Sequence, residues 1–300
     1  MVVFEQVFIL FFFGVVGFAL AKTGLVNAAH GKVLSALLVY VMLPANIFNT
    51  FSTRFSIVYL SDNAPFLLVA LIAITLLIGA SLLISRLLAR DKYEQKIFEY
   101  TTVSPNFGYF GYALAASLFG SAFEIMVFTM PMIVYVHTYG FAVLTKSKLN
   151  LRGLINPVTV GLLLGAIVGI TGVPVPFVLT DITTRASDCM GPISMLLAGI
   201  VVSQYPLRDM FNNRRAFVMS AIRLLALPLV GGLIAAPFTT PAQFSAILLF
   251  LALPCGLNTV VFPKLVDEDC RLGASMAILS NIFACLTIPF VLWIFGVATL

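Results

Sequence analysis

Two short segments of this otherwise apolar chain combine proline, glycine and asparagine, residue types that break a helix and leave hydrogen-bonding groups free. Residues 101–111 read Thr-Thr-Val-Ser-Pro-Asn-Phe-Gly-Tyr-Phe-Gly, and residues 253–260 read Leu-Pro-Cys-Gly-Leu-Asn-Thr-Val. Proline removes one backbone N–H and clashes with the preceding turn, and glycine lowers the cost of unwinding beside it. Asparagine in the middle of a membrane is costly unless it has a partner. Each segment therefore predicts a polar break within a membrane helix.

Two such breaks facing each other predict a binding centre for an anion. The half-helix that follows each break begins with free N–H groups and a partial positive charge, which favours anions. We expect the side-chain amides of Asn106 and Asn258 to donate to a carboxylate. The residues expected to contact the ligand are Asn46, Ser104, Asn106, Tyr109, Asn258 and Thr259. The residues expected to shape the breaks are Pro105, Gly108, Pro254 and Gly256. The simpler alternative is a pair of proline kinks without a ligand.

Four polar residues in other predicted helices have two interpretations each. Asn46, close after Pro44, fits either a substrate cavity or an interhelical hydrogen bond. His137 fits a proton relay or a substrate contact, and alternatively a packed neutral histidine. Arg223 fits attraction of an anionic substrate, or a side chain that snorkels to the cytoplasmic surface. Asn281 fits packing and the site equally well.

The residue types that the two broken segments lack limit the ligands and reactions that they could support. Neither segment contains Asp or Glu, which disfavours cation exchange at buried carboxylates. Ser104, Asn106 and Asn258, with freed carbonyls, would also suit Na⁺, because hard cations take oxygen ligands. No catalytic or nucleotide-binding motif is visible, and the four cysteines lack metal-ligand spacing, so we expect no cofactor and no resident metal. An enzyme or a receptor is the distant alternative.

The composition places the chain in a membrane. It is 61% hydrophobic and 10% charged, with a mean hydropathy of +1.08, whereas soluble domains are about 25% charged. Long runs that are apolar on every face favour helices over barrel strands, and 300 residues hold about ten spans. We therefore predict an all-α polytopic protein. The predicted spans are 4–20, 33–51, 65–88, 98–119, 123–144, 154–170, 190–202, 216–238, 244–266 and 273–297.

The distribution of basic residues predicts the orientation. The net charge of +5 does not indicate nucleic-acid binding, because the basic residues lie in short loops on one side of the predicted bundle. Those residues are Lys22, Lys32, Arg86, Arg90, Lys92, Lys96, Lys146, Lys148, Arg152, Arg208, Arg214, Arg215, Lys264 and Arg271. The opposite loops hold only Arg54 and Arg185. The positive-inside rule then predicts a multi-pass protein of the cytoplasmic membrane with both termini outside the cytoplasm.

A weak internal repeat predicts two inverted halves. One offset lays Pro44 on Pro192, Asn106 on Pro254 and Gly108 on Gly256. The same offset maps the second span onto the seventh and the fourth onto the ninth. Because each half holds an odd number of spans, the second half must insert upside down, as in many secondary transporters. The predicted halves are 1–150 and 151–300, each of five helices.

These segments together resemble the auxin efflux carrier family, whose members include plant PIN auxin exporters and bacterial malonate and malate permeases. The resemblance runs through the whole chain, and Asn-Phe-Gly followed by Gly111 and Leu118-Phe119-Gly120 is its most specific part. The segments that carry it are 41–45, 106–111, 155–157, Gly191-Pro192 with Gly199, and Pro254 with Asn258. The short segment 145–153 replaces the long hydrophilic loop of many plant members, which favours a bacterial-type member.

The resemblance implies a fold and a mechanism. Spans 4 and 9 would cross at their broken centres. Spans 1, 2, 6 and 7 would form a scaffold, often dimeric, and spans 3–5 and 8–10 would form a moving transport domain. The implied function is a secondary transporter that moves a small organic anion by alternating access. The runner-up is a sodium- or proton-coupled symporter of the related bile-acid-transporter type.

Overall fold

The computed structural model of the chain describes residues 2–149, 151–206, 213–265 and 271–297, and these residues are helical almost throughout. The α-helices are α1 (Val2–Lys22), α2 (Ala28–Leu37), α3 (Leu43–Arg54), α4 (Ile57–Leu88), α5 (Lys92–Val103), α6 (Tyr112–Phe119), α7 (Phe123–Phe128), α8 (Met130–Tyr135), α9 (Phe141–Thr145), α10 (Pro157–Thr171), α11 (Phe177–Asp188), α12 (Met190–Ser203), α13 (Arg214–Ala221), α14 (Leu227–Ala235), α15 (Pro241–Ala252), α16 (Asn258–Leu265) and α17 (Arg271–Ile294). The predicted all-α class is confirmed.

Six of the described helical stretches are long and apolar enough to cross a membrane. They are Val3–Lys22, Ala29–Arg54, Ile57–Leu88, Phe177–Ser203, Arg214–Phe238 and Arg271–Ile294. Four shorter apolar helices are Phe107–Phe119, Met130–Thr145, Pro157–Thr171 and Pro241–Ala252. The molecule is therefore a polytopic membrane protein, with helical structure in all ten predicted ranges as far as they are described. The seventh span, which is expected to start before residue 190, near Thr183, begins at Phe177. The inverted five-helix repeat stays a prediction.

Side-chain caps fix the starts of the helices that lead into and out of the bundle. The Asp91 carboxylate accepts the N–H of Glu94 at the start of α5, and the Asn156 side chain accepts the N–H of Thr159 at the start of α10. Thr240 and Gln243 form a reciprocal capping box at the start of α15. Such caps satisfy backbone donors that a helix leaves without partners. The caps of α5 and α15 set where the two broken spans begin, and the cap of α10 sets the start of a helix that packs on α3.

Several helices contain a π-helical segment next to a proline or a break. Leu38–Met42 precedes Pro44, and Ile222–Ala226 precedes Pro228. A proline ring clashes with the carbonyl one turn before it, and one wider turn relieves that clash. The segment Phe107–Gly111 follows the first break, and Val136–Gly140 interrupts the helix that carries His137.

Two helix pairs pack so closely that glycine is required at the contact. α3 lies along α10, and α1 lies along α12. A methyl group at Gly161 would lie 2.7 Å from the Pro44 carbonyl oxygen, and one at Gly165 would lie 2.9 Å from that of Phe48. Glycine at four-residue spacing on α10 therefore lets the two backbones approach, as small residues do in membrane helices. These pairs belong to the predicted scaffold spans, whose separation from a transport domain stays a prediction.

The remaining long helices surround the two broken spans. α4 packs on α5, α14 packs on α15, and α13 packs on α17. The Gln243 amide donates to the Asn63 side chain at 2.8 Å, where α4 has a non-helical residue, and this links α4 to α15. The core lies between these helices, while many large apolar side chains of α1, α4 and α10 face outward. An apolar exterior is the expected surface of a protein whose solvent is lipid.

Candidate functional site

The two breaks meet at the centre of the bundle. α5 ends at Val103 and α15 ends at Ala252, and the extended residues after them pair in a single antiparallel bridge between Pro105 and Cys255. The backbone N–H of Asn106 donates to the Pro254 carbonyl at 2.8 Å. Helix resumes at Phe107 after the first break and at Asn258 after the second. Backbone groups that the first break leaves without helical partners thus bond to those of the second break.

Gly256 allows the two breaks to approach closely at the crossing. A methyl group at this position would lie 3.1 Å from the Ser104 carbonyl oxygen and 3.2 Å from that of Pro105. The second break is held on its other side by α17, where the Ser280 hydroxyl accepts the N–H of Cys255 at 2.9 Å. The crossing is therefore packed on both sides.

A cavity of about 100 Å³ lies against the crossing. A buried water needs about 10–15 Å³ in such a measure, so the cavity admits a small organic group. Its lining comes from α3 and the π-helical segment before it, from α10, from both breaks and the half-helices that follow them, and from the helix that carries His137. The lining residues are Val39, Leu43, Ile47, Pro105, Asn106, Phe107, Gly108, Tyr109, Tyr112, Ile133, Val136, His137, Val158, Gly256, Leu257, Asn258 and Phe262. None of these is Asp, Glu, Lys or Arg.

Both breaks contribute backbone donors without partners to the lining of this cavity. Among the described residues no acceptor is found for the N–H groups of Phe107, Gly108 and Tyr109 after the first break, or for that of Leu257 in the second. All four residues line the cavity. Free N–H groups at the start of a helix, with the positive end of its dipole, form a site that suits an anion.

Asn106 is the most informative side chain of the site. It is only 2% exposed, yet neither its Oδ1 nor its Nδ2 has a hydrogen-bond partner. Leaving a buried amide without partners costs about 1–3 kcal/mol, which a bound ligand would recover. Asn258 is half-buried, and its amide donates to the Tyr100 hydroxyl at 3.0 Å. One asparagine is therefore held by the protein, and the other is left without a partner.

Only some of the other predicted contacts reach the cavity. Tyr109 and His137 line it, and both are half-buried. The Ser104 hydroxyl is buried away from it and donates to Tyr100 at 3.3 Å. The Thr259 hydroxyl donates to the carbonyls of Gly256 at 2.9 Å and Gly273 at 3.3 Å.

Asn46 and Asn281 also lie outside the described cavity lining. The Oδ1 of Asn46 is buried on α3 without a partner. The Asn281 amide donates to the Ala277 carbonyl of its own helix at 2.6 Å, and its neighbour Ser280 touches the break. Asn281 therefore follows the packing interpretation in this structure.

Arg223 neither lines the cavity nor reaches the surface. It is fully buried, and its guanidinium donates to three carbonyls, those of Thr102, Phe250 and Leu253. The expected snorkelling to the cytoplasmic surface is wrong, because the half-helix ends supply buried acceptors. The guanidinium thus contacts the ends of the two half-helices and lies outside the cavity lining.

Two polar residues near the site were missed by the sequence analysis. Tyr100 is fully buried and its hydroxyl accepts from both Ser104 and Asn258. Glu99, at 7% exposure, lies within the range predicted for the fourth span and accepts weakly from Tyr139 at 3.5 Å. The absence of carboxylates therefore holds for the broken segment but not for the whole span. Spacing could have found Tyr100, one turn before Ser104 on the same helix.

Comparison with known families matches the chain to the family described as membrane transport protein, over residues 2–146 and 140–292. The chain belongs to this family of auxin efflux carrier type. The predicted resemblance is confirmed, and the family's members are membrane transporters. A search of curated proteins finds no match. The crossing and its cavity are thus the candidate substrate site of a membrane transporter.

Proposed function

We propose that this transporter is a secondary transporter that moves a small organic anion by alternating access. The observation that carries the proposal is the buried Asn106 amide without partners, beside free N–H groups from both breaks. A carboxylate oxygen accepts several donors at once, and hydrogen bonds to a charged group contribute about 1.5–3 kcal/mol each. The mixed lining of amide, imidazole and apolar side chains suits a carboxylate on a small carbon skeleton.

The proposal includes the arrangement of the protein in the cell. We place it in the cytoplasmic membrane with both termini outside the cytoplasm, supported by the one-sided distribution of basic loops. We assign helices α1, α2, α3, α10, α11 and α12 to a scaffold that forms a homodimer, and the remaining helices to a transport domain. The cavity supports this division, because α3 and α10 line one part of it and the two breaks line another.

The experiment uses the purified chain in liposomes with radiolabelled malonate, malate and indole-3-acetate as probes. We expect uptake of at least one probe by the wild type. Asn106→Ala and Asn258→Ala should reduce it by about tenfold or more, since each removes a donor to a charged group. Asn281→Ala is the matched control and should transport normally, because its amide bonds within its own helix. Undiminished transport in both site variants would exclude this site, and no uptake of any carboxylate by the wild type would exclude the function.

A sodium-coupled symporter is the second candidate. It is favoured by the Asn106 Oδ1, a buried oxygen without a donor, since hard cations take oxygen ligands. Replacing Na⁺ with choline in the same liposomes separates the two candidates: transport that needs Na⁺ supports coupling, and equal rates exclude it. Proton coupling through His137, which lines the cavity, would appear as a pH dependence that His137→Ala removes.

A further inference from the structure

Arg223 occupies a position that its predicted roles do not explain. It lies on the π-helical segment Ile222–Ala226 and is completely buried. Its Nε donates to the Leu253 carbonyl at 3.1 Å, one terminal nitrogen donates to Thr102 at 3.1 Å, and the other donates to Phe250 at 2.6 Å. Its guanidinium also lies 5.6 Å from the centre of the Phe250 ring. No carboxylate forms an ion pair with it among the described residues.

The three carbonyls belong to the ends of the two half-helices that lead into the crossing. Thr102 is in the last turn of α5, and Phe250 and Leu253 are at the end of α15. The last carbonyls of a helix have no partners within it and carry a partial negative charge. Arginine is suited to this place, because its rigid planar fork holds five donors and it stays charged. One side chain thus satisfies two helix ends from separate parts of the chain.

This contact has an electrostatic consequence for the cavity. Two negative and two positive half-helix ends meet at the crossing, and without a counter-charge their effects would largely cancel. Arg223 binds the negative ends, whereas the free N–H groups of Phe107, Gly108 and Leu257 belong to residues that line the cavity. The positive ends therefore remain uncancelled on the side where the ligand would lie.

We propose that Arg223 is a positioning residue that ties together the ends of α5 and α15 and cancels their negative charge, so that the cavity prefers anions. The preference for anions rests on the proposed function, whereas the tie between the two helix ends does not. Arg223 acts through the backbone of the breaks and does not touch the ligand.

The test compares Arg223→Gln, which keeps donors without charge, with Arg223→Lys, which keeps charge without the fork. Arg215→Gln is the matched control, since Arg215 lies in the first turn of the same helical stretch and pairs with Glu94 away from the crossing. The first measurement is amide hydrogen exchange of residues 97–106 and 247–257 in nanodiscs without ligand. The second is the dissociation constant for malonate and indole-3-acetate against their neutral amides, malonamide and indole-3-acetamide.

In Arg223→Gln we expect amide exchange to be about tenfold faster at both helix ends. We also expect the preference for the carboxylate over its amide to fall by about tenfold, because a favourable charge interaction at a helix end has an energy of this size. Arg223→Lys should keep the carboxylate preference within about threefold but exchange faster than the wild type, because an ammonium cannot span both ends. Arg215→Gln should match the wild type in both measurements.

Unchanged exchange in Arg223→Gln would overturn the tie between the helix ends, and an equal loss of affinity for carboxylate and amide would overturn the electrostatic role. If Arg223→Gln does not fold, Arg223→Lys decides: exchange equal to the wild type overturns the proposal, and faster exchange at both ends supports it. If the wild type binds no carboxylate, the proposed function fails while the exchange measurement still decides the role of Arg223 in the fold.

Discussion

At the scale of single residues, the site divides its two asparagines between different tasks. Asn106 has no partner in the protein and is free to bind a ligand, whereas Asn258 is held by the Tyr100 hydroxyl. Tyr100 in turn stacks on Tyr135, with ring centres 6.3 Å apart, and has no exposed surface. A buried side chain locked by packing can hold a polar neighbour in one orientation, which lowers the entropy cost of binding a ligand.

Tyr100→Phe should weaken substrate binding more than its loss of stability explains. It removes the acceptor of both Asn258 and Ser104, so the Asn258 amide loses its fixed orientation. We expect about a tenfold higher dissociation constant for the transported carboxylate, measured by calorimetry, as one lost hydrogen bond to a buried polar group predicts.

The matched control is Tyr59→Phe, which removes one hydroxyl outside the cavity lining and its 2.9 Å hydrogen bond to Glu124. It should lower the unfolding temperature as much as Tyr100→Phe but leave affinity within about twofold, because Asn258 is untouched. Equal affinity losses in the two variants would show that Tyr100 has no special role.

At the scale of elements, the contact between α3 and α10 depends on glycine. The sequence predicted the two helices separately, but it did not show which face of α10 meets α3. Gly161 and Gly165 face the backbone of α3, so an added side chain must push two helices apart. Overpacking a close helix contact costs about 1–3 kcal/mol.

Gly165→Ala should therefore lower the thermal unfolding midpoint in detergent, even though alanine favours helix over glycine by about 0.5–1 kcal/mol. A methyl group there would lie 2.9 Å from both the Phe48 carbonyl oxygen and the Phe51 Cβ. Gly79→Ala in α4 is the matched control, since nothing lies within 4 Å of the added methyl group. That variant should be as stable as the wild type or more stable. The packing argument fails if the two variants shift the midpoint equally.

At the scale of the whole molecule, alternating access requires the breaks to move against the proposed scaffold. One direct contact across that boundary is the Ser194 hydroxyl of α12, which donates to the Tyr109 carbonyl at 2.7 Å. Nearby, a Cβ atom at Gly191 would lie 3.2 Å from that of Ala113 in α6. This Cβ–Cβ distance is close to the 3.5–4.5 Å found between the Cβ atoms of a disulfide.

A disulfide between Gly191→Cys and Ala113→Cys should stop transport while leaving substrate binding measurable, because it fixes α6 to α12. The measurement is uptake before and after oxidation, with a reducing agent to restore activity, in a chain whose native cysteines are alanine. The control pair is Asn49→Cys with Thr184→Cys, which replaces a 3.2 Å contact between α3 and α11 within the proposed scaffold. Oxidation of the control should leave uptake unchanged. Full transport by the oxidised variant with cysteines at positions 113 and 191 would show that transport does not require movement at this contact.

The sequence by itself determined the membrane class, the family and the positions of both breaks. The membrane class and the breaks follow from composition and from proline and glycine, whose effects on the backbone are local. The family follows from the resemblance of the motifs, which the family match confirms. Only the tertiary structure decided that the breaks pair through Asn106 and Pro254, that Tyr100 holds Asn258, and that Arg223 binds three carbonyls instead of reaching the surface. These contacts join residues far apart in the chain. A membrane chain can satisfy a buried polar group with many partners, so its local sequence cannot show which partner the packing brings near.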